Sequence, residues 1–262
     1  MRTIKRGRDM ASLAVSIALA LAATSCPQAQ ARVAGAAMTH AGATALRAEL
    51  RELMPPTPNA PQSPAAILPV TSCADDNGAG TLRAVVAAAG DGDSVDLNAL
   101  SCSSITLSQG AIPVLLDNLT LTGPGAAALM IDGAGADRVL VHPGYGTLTV
   151  QGLTVRNGAA RVAANKITGG ACIASAGYVM LDHSRVSDCY GSGEGVYGGG
   201  IFAFGLLMYT STLSGAVAFG RSDFSGTASF GGGAYVEYAR IVDSTISANR
   251  AAHTLAYGLS GY

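Results

Sequence analysis

Residues able to do chemistry are sparse in this chain. The densest group is Asp182, His183, Arg185 and Asp188, which sets carboxylates able to hold a cation beside a basic side chain. The same four residues also read as the solvated outer face of a loop, and that reading is the simpler one. Asp75-Asp76, the only Asp doublet, reads as a turn. Asp91, Asp93 and Asp96 suggest calcium, but their spacing lacks the bidentate Glu at position 12 of an EF-hand loop. Asp132 and Asp137-Arg138 are turn residues on the same reading, and His142, ahead of Pro143-Gly144, is a loop residue. No Ser-His-Asp order, phosphate-binding loop or dinucleotide fingerprint is visible, and Gly123-Pro124-Gly125 is only a turn. No cofactor and no metal is expected.

Cysteine chemistry is more informative. Of five Cys, Cys26 lies in an N-terminal leader, leaving Cys73, Cys102, Cys172 and Cys189. An even number in an exported chain points to disulfides, formed in an oxidising compartment. Three pairings are open. Cys73–Cys102 and Cys172–Cys189 are favoured because each pair encloses a single coil of the repeat set out below. There is no C-x-x-C and no Cys/His spacing suited to zinc.

The elements that position these residues follow from composition and pattern. The 262 residues are 49% hydrophobic and only 13% charged, which excludes a disordered chain or a coiled coil. A formal net charge of −1 offers no basic field for nucleic acid. The 34 Gly among many Thr and Ser imply β structure with many turns.

Residues 1–31 read as a signal peptide. Arg2, Lys5, Arg6 and Arg8 precede an apolar run from Leu13 to Ala23, too short to span a bilayer, and Ala29-Gln30-Ala31 supplies a cleavage site. Ala23-Thr24-Ser25-Cys26 also resembles a bacterial lipoprotein box, which would make Cys26 a lipidation site. Removing the leader takes away four bases and one acid, moving the net charge from −1 to −4. Residues 32–69 read as a Pro/Ala-rich linker. Leu46, Leu50 and Leu53 fit one short amphipathic helix, and the prolines between Pro55 and Pro64 favour an extended spacer.

From residue 169 a degenerate unit recurs, with its marked serines 27 and 33 residues apart. Gly169-Gly170 leads to Ser184-Arg185-Val186-Ser187, Gly198-Gly199-Gly200 to Ser211-Thr212-Leu213-Ser214, and Gly231-Gly232-Gly233 to Ser244-Thr245-Ile246-Ser247. A period of this size, with β-branched alternation cut by Gly and Asn, predicts a β-solenoid. Stacking would make Val186, Leu213 and Ile246 one inward apolar ladder, with Ser184, Ser211 and Ser244 on the same face. The Gly clusters would supply positive φ where the chain changes sheet. Asn157 and Asn249 suit left-handed corners or stacked side-chain amides.

At this point the chain resembles the right-handed parallel β-helix repeat proteins of the bacterial envelope. Asp75-Asp76-Asn77-Gly78 through Thr81-Leu82-Arg83, followed by Gly92-Asp93-Ser94-Val95-Asp96-Leu97, is similar to the opening of that group. The Gly-Gly and Ser-Thr-Ile-Ser-Ala-Asn pieces resemble repeats of polymorphic outer-membrane proteins and adhesins. The resemblance implies an all-β, right-handed parallel β-helix over residues 70–262. A helix near residues 80–89 would cap its first coil with Leu82, Val85 and Val86.

Function is less legible. The expectation is an exported, non-catalytic, adhesin-like module, secreted, periplasmic or at the outer-membrane surface. It would contact glycans or envelope components through Thr, Ser, Tyr and Asn. The alternative is a polysaccharide lyase or glycoside hydrolase, for which Asp182, His183, Arg185 and Asp188 are the weak candidates. The Asp doublet followed by Gly-His-Gly that pectinolytic hydrolases of this fold carry is missing. The T-x-T pairs Thr120/Thr122, Thr147/Thr149 and Thr210/Thr212 raise a minor reading, a flat Thr array of the ice-binding kind. Neither a transmembrane helix nor a nucleic-acid partner is expected. The last coil, Ile241 to Leu259, is read as uncapped and prone to self-association.

Overall fold

A computed structural model describes residues 34–54, 64–163, 166–222 and 229–255. The leader with Cys26, the stretch 55–63 and residues 256–262 lie outside the described residues. From Ile67 the chain winds as a parallel β-solenoid of about six turns. Three main sheets line it. The first has seven strands, from Ile67–Pro69 to Tyr238–Val242, the second six, from Ser104–Thr106 to Thr245–Ser247, and the third five, from Ile112–Pro113 to Ala234–Tyr235. A four-stranded sheet, from Ala159–Arg161 to Arg250–Leu255, widens the later coils.

The period-2 alternation of these short strands sends every second side chain inward. Leu121, Val150, Leu181 and Met208 align in register on the first sheet and are fully buried. Val186 pairs with Leu213, and Leu213 with Ile246, so the ladder expected from the repeat is formed. Beside it the serines build a second ladder. Ser184 N–H donates to Ser211 Oγ at 3.0 Å, and Ser211 N–H donates to Ser244 Oγ at 3.0 Å. Ser211 Oγ in turn donates to Tyr209 O at 2.8 Å. Each hydroxyl thus pairs with corner backbone groups, which at the buried Ser184 and Ser211 are withdrawn from water.

The corners need left-handed backbone. Gly170, Gly198 and Gly231 have φ of 60°, 71° and 65° at one corner. Another corner carries Asn157, Asp188, Gly215 and Ala248 in the same region. Asn249 does something else: its Oδ1 accepts from Ala216 N–H and its Nδ2 donates to Leu213 O, both at 2.9 Å. Asn157 takes the left-handed corner expected of it, whereas Asn249 takes neither expected role and bridges backbone groups of the preceding coil.

Two helices flank the solenoid: α1, Ala34–Arg51, and α2, Leu82–Ala88. Helix α2 closes the first coil as expected. Thr81 caps its N-terminus by accepting from Ala84 N–H, Leu82 and Val86 are buried, and Val85 packs against the same core. Helix α1 lies within the segment read as a linker, docked on the outer face of the third sheet. Ala43, Leu46 and Leu50 are buried there with Val141, Ala174 and Phe202. Leu53, by contrast, is 54% exposed, because the helix ends at Arg51 and Ala43 supplies the missing apolar position one turn earlier. Among the described residues no helix is long and apolar enough to cross a membrane.

Both disulfides are formed as paired above, with Cα separations of 6.3 Å for Cys73–Cys102 and 5.6 Å for Cys172–Cys189. The second joins residues 17 apart, closing one circuit of the coil across its buried interior. Two such staples suit an oxidising, extracytoplasmic environment.

Candidate functional site

Most of the acidic residues singled out above are occupied with structure. Asp75 is bound bidentately by Arg83, Nε to Oδ1 at 2.9 Å and Nη2 to Oδ2 at 3.1 Å, and accepts the backbone N–H of Ser108 and Gln109. Arg83 also reaches Gly110 O and Ala111 O, so one ion pair ties α2 to the following coil. Burial opposes charge on Asp75, but Arg83 and the two backbone donors outweigh it and hold the carboxyl below its ordinary range. Asp132 follows the same logic: burial is outweighed by Ala134 N–H, Arg156 and Asn157. Asp91 accepts from Asn118 N–H, Asp93 from Ala66 and Gly90 N–H, and Asp96 from Asn98 N–H. Those three carboxylates pin turns, and no group of metal-ligating side chains is present among the described residues.

Asp182 and His183 do meet, with Oδ1 and Nδ1 2.6 Å apart, and Gln151 Nε2 donates to Asp182 Oδ2 at 3.1 Å. His183 sits at a corner with φ 48° and its side chain is 67% exposed. Arg185 opens the next strand on the second sheet, flanked in register by Thr154 and Thr212, and Asp188 lies past that strand at the following corner. The four residues therefore spread over two corners and a strand, along an exposed surface. The T-x-T pairs do not assemble into one array. Thr120 stands beside Thr149, but the row continues into Met180 and Leu207, while Thr210 is a corner residue and Thr212 lies on the second sheet.

His142 departs from its reading as a loop residue. It ends the third-sheet strand Leu140–His142, is 0% exposed, and aligns with Ser175 of the next coil. Its Nδ1 lies 2.8 Å from Ser175 Oγ and its Nε2 lies 3.0 Å from Asp117 O. The carbonyl can only accept, so Nε2 carries the proton and Nδ1 accepts from the serine hydroxyl. Burial pushes the imidazole below its usual pKa despite the acceptor at Asp117. Both partners are fully buried, so the pair is withdrawn from solvent.

A more open constellation lies at the corner between the third and first sheets. Tyr145, Tyr178, Phe204 and Tyr238 come from four consecutive coils. Backbone hydrogen bonds stack that corner: Tyr178 N–H donates to Gly146 O at 2.8 Å, Phe204 N–H to Gly177 O at 2.9 Å, and Tyr238 N–H to Phe204 O at 3.1 Å. Gly146 and Gly177 permit this approach, since a Cβ on either would fall within 2.4 Å of a neighbouring carbonyl oxygen. Tyr145 and Tyr238 are 57% and 52% exposed, and Tyr178 and Phe204 are half-buried. The Tyr178 ring lies over Gly205 and meets Phe204 edge-on at 5.3 Å.

Helix α1 lends cations to this strip. The guanidinium of Arg51 lies 4.0 Å from the centre of the Tyr145 ring and that of Arg47 lies 5.2 Å from Phe204. Arg47 pairs with Glu237 at 2.8 Å, and Arg51 approaches Asp117 at 3.8 Å. Nε and Nη2 of Arg47 are buried without hydrogen-bond partners, their contacts being the faces of Phe202 and Phe204. The result is an outer corner carrying four aromatic side chains, edged by paired charges of both signs.

Fold and strip together define a parallel β-solenoid with an aromatic outer corner. No protein-family profile matches the sequence, and comparison with curated proteins and with solved structures finds none that is similar.

Proposed function

We propose that this protein is an exported surface-binding module that holds glycans along the aromatic corner. The observation that carries the reading is the pair of exposed tyrosines, Tyr145 and Tyr238, at an outer corner whose intervening coils place the half-buried rings of Tyr178 and Phe204. Aromatic faces stack on the apolar faces of sugar rings, while Arg51, Asp117 and Glu237 offer donors and acceptors to hydroxyls. Export through the leader 1–31, with cleavage after Ala31 or lipidation at Cys26, fits the two disulfides. The structural or adhesin-like role expected for such a module rests on the same surface.

The test is a screen of the purified, oxidised protein against plant and bacterial polysaccharides, comparing wild type with Tyr145→Ala/Tyr238→Ala. Retarded migration that the double substitution abolishes is the expected result. Binding that the substitution leaves intact removes the corner from the reading. Release of shortened or unsaturated sugars would establish the lyase or hydrolase alternative, with Asp182 and His183 the first residues to replace.

A further inference from the structure

We infer that a second copy of this chain pairs with the last described coil, end to end, across a twofold axis through Ile246. That coil is made of Tyr238–Val242, Thr245–Ser247 and Arg250–Leu255, each the last strand of its sheet. The three are laid out evenly about Ile246, since Val242 and Arg250 each lie four residues from it. Two solenoids meeting end to end wind in opposite senses when seen from one side, so their strands meet antiparallel. A twofold axis through Ile246 then sets that residue against itself, Thr245 against Ser247 of the second copy, and Ile241 against its Ala251.

Backbone directions agree with this register. Thr245 N–H donates to Ser211 O at 2.8 Å, and Ser247 O accepts from Gly215 N–H at 3.3 Å. Both residues are thus bonded to the preceding coil, and Ile246 between them turns its N–H and C=O to the free edge. By the same alternation Tyr238 N–H donates to Phe204 O and Val242 O accepts from Thr210 N–H, which leaves the backbone of Ile241 facing the free edge. Arg250 N–H donates to Ala216 O, so Ala251 faces the same way. The opposed pairs at Ile246 and at Ile241–Ala251 can therefore exchange both hydrogen bonds, as antiparallel partners do. Side chains match as well. Ile241, Ile246 and Ala251 follow the fully buried Met208, Leu213 and Ala218 in register, so two apolar interiors would join. Charge is complementary at the rim. Asp243 and Arg250 are exposed and have no ion pair among the described residues, and the twofold axis brings each beside the other of the second copy. Helix α2 covers the opposite end of the solenoid, so the contact is isologous and closes at two copies.

Sedimentation equilibrium of the oxidised full chain tests this, together with charge reversal and cross-linking. Wild type should reach a dimer and go no further as concentration rises. Asp243→Arg or Arg250→Asp alone should weaken the dimer by roughly three- to tenfold, and the two together should restore it. Directly opposed residues that exchange hydrogen bonds have Cα atoms about 5.5 Å apart, within the range of a disulfide. Ile246→Cys should accordingly yield a covalent dimer under mild oxidation, whereas Tyr145→Cys should not. Both charged residues are exposed, and an unchanged circular dichroism spectrum would show that their variants fold. Species larger than a dimer would overturn closure at two copies. A monomer at every concentration would overturn the pairing altogether. Failure of the double reversal to restore the dimer, or of Ile246→Cys to cross-link it, would remove the axis from Ile246.

Discussion

A single guanidinium, that of Arg83, joins the capping helix to the first coils, and its partner Asp75 is almost wholly withdrawn from water. Removing one partner of a buried pair leaves the other charge uncompensated, so Arg83→Ala should destabilise the domain by about 3 kcal/mol in urea unfolding. Asp75 and Asp132 ionise below the ordinary carboxylate value of 3.8. Their contribution is present above that value and disappears as pH falls through the lower, folded-state value. His142 titrates in the same sense at a higher pH. Its folded-state pKa lies below 6.5, so the unfolded chain takes up its proton first as pH drops. Melting temperature should therefore decline below pH 6.5, and His142→Gln should flatten that part of the profile. A wild-type profile level from pH 8 to pH 5 would contradict a buried, neutral imidazole.

Helix α1 is an element whose docking is decided by a few contacts. Gly42 lies against Tyr197, whose hydroxyl oxygen would be 2.1 Å from an added Cβ, and Leu46 is 4% exposed. Gly42→Ala should lift the helix, and Leu46→Ala should weaken its packing by about 2–3 kcal/mol. Faster amide exchange confined to α1 would show both. Because Arg47 and Arg51 travel with the helix, the same variants should also weaken ligand binding at the corner. The Cys172–Cys189 staple belongs to one coil, and replacing both residues by Ala should cost about 3 kcal/mol. Unaltered unfolding of that double variant would mean that the coil is held by its ladders alone.

Across the whole molecule the two ends of the described solenoid differ. Helix α2 seals the first coil, whereas in the last described coil Ile241 and Ile246 are 45% and 44% exposed. Ile246 continues the ladder of Val186 and Leu213, both fully buried. Exposed ladder residues beside strand edges that carry no partner among the described residues favour contact with another chain. Sedimentation at micromolar concentrations should show concentration-dependent association, reduced by Ile241→Lys/Ile246→Lys. A monomer insensitive to both concentration and substitution would argue against that contact.

Features that repeat locally are legible in the chain before it folds. Glycine runs, β-branched alternation and the Ser-x-Val/Leu/Ile-Ser units specify strand, corner and period, because left-handed backbone and two-residue alternation are properties of a few neighbouring residues. The cap at Leu82–Ala88 followed from the resemblance carried by Asp75 to Leu97, and both cysteine pairs from the length of one coil. Tertiary structure decided what depends on register between coils. Tyr145, Tyr178, Phe204 and Tyr238 follow no constant spacing, and only stacking of unequal coils brings them to one corner. His142 looked like a loop residue because Pro143-Gly144 follows it, yet Ser175, 33 residues later, completes its hydrogen bonding inside the core. Helix α1 was visible as a pattern of leucines, but its seat on Val141, Ala174 and Phe202 arises from three separate coils. Such contacts form only after the solenoid has wound, since each side chain meets neighbours that its own segment does not contain.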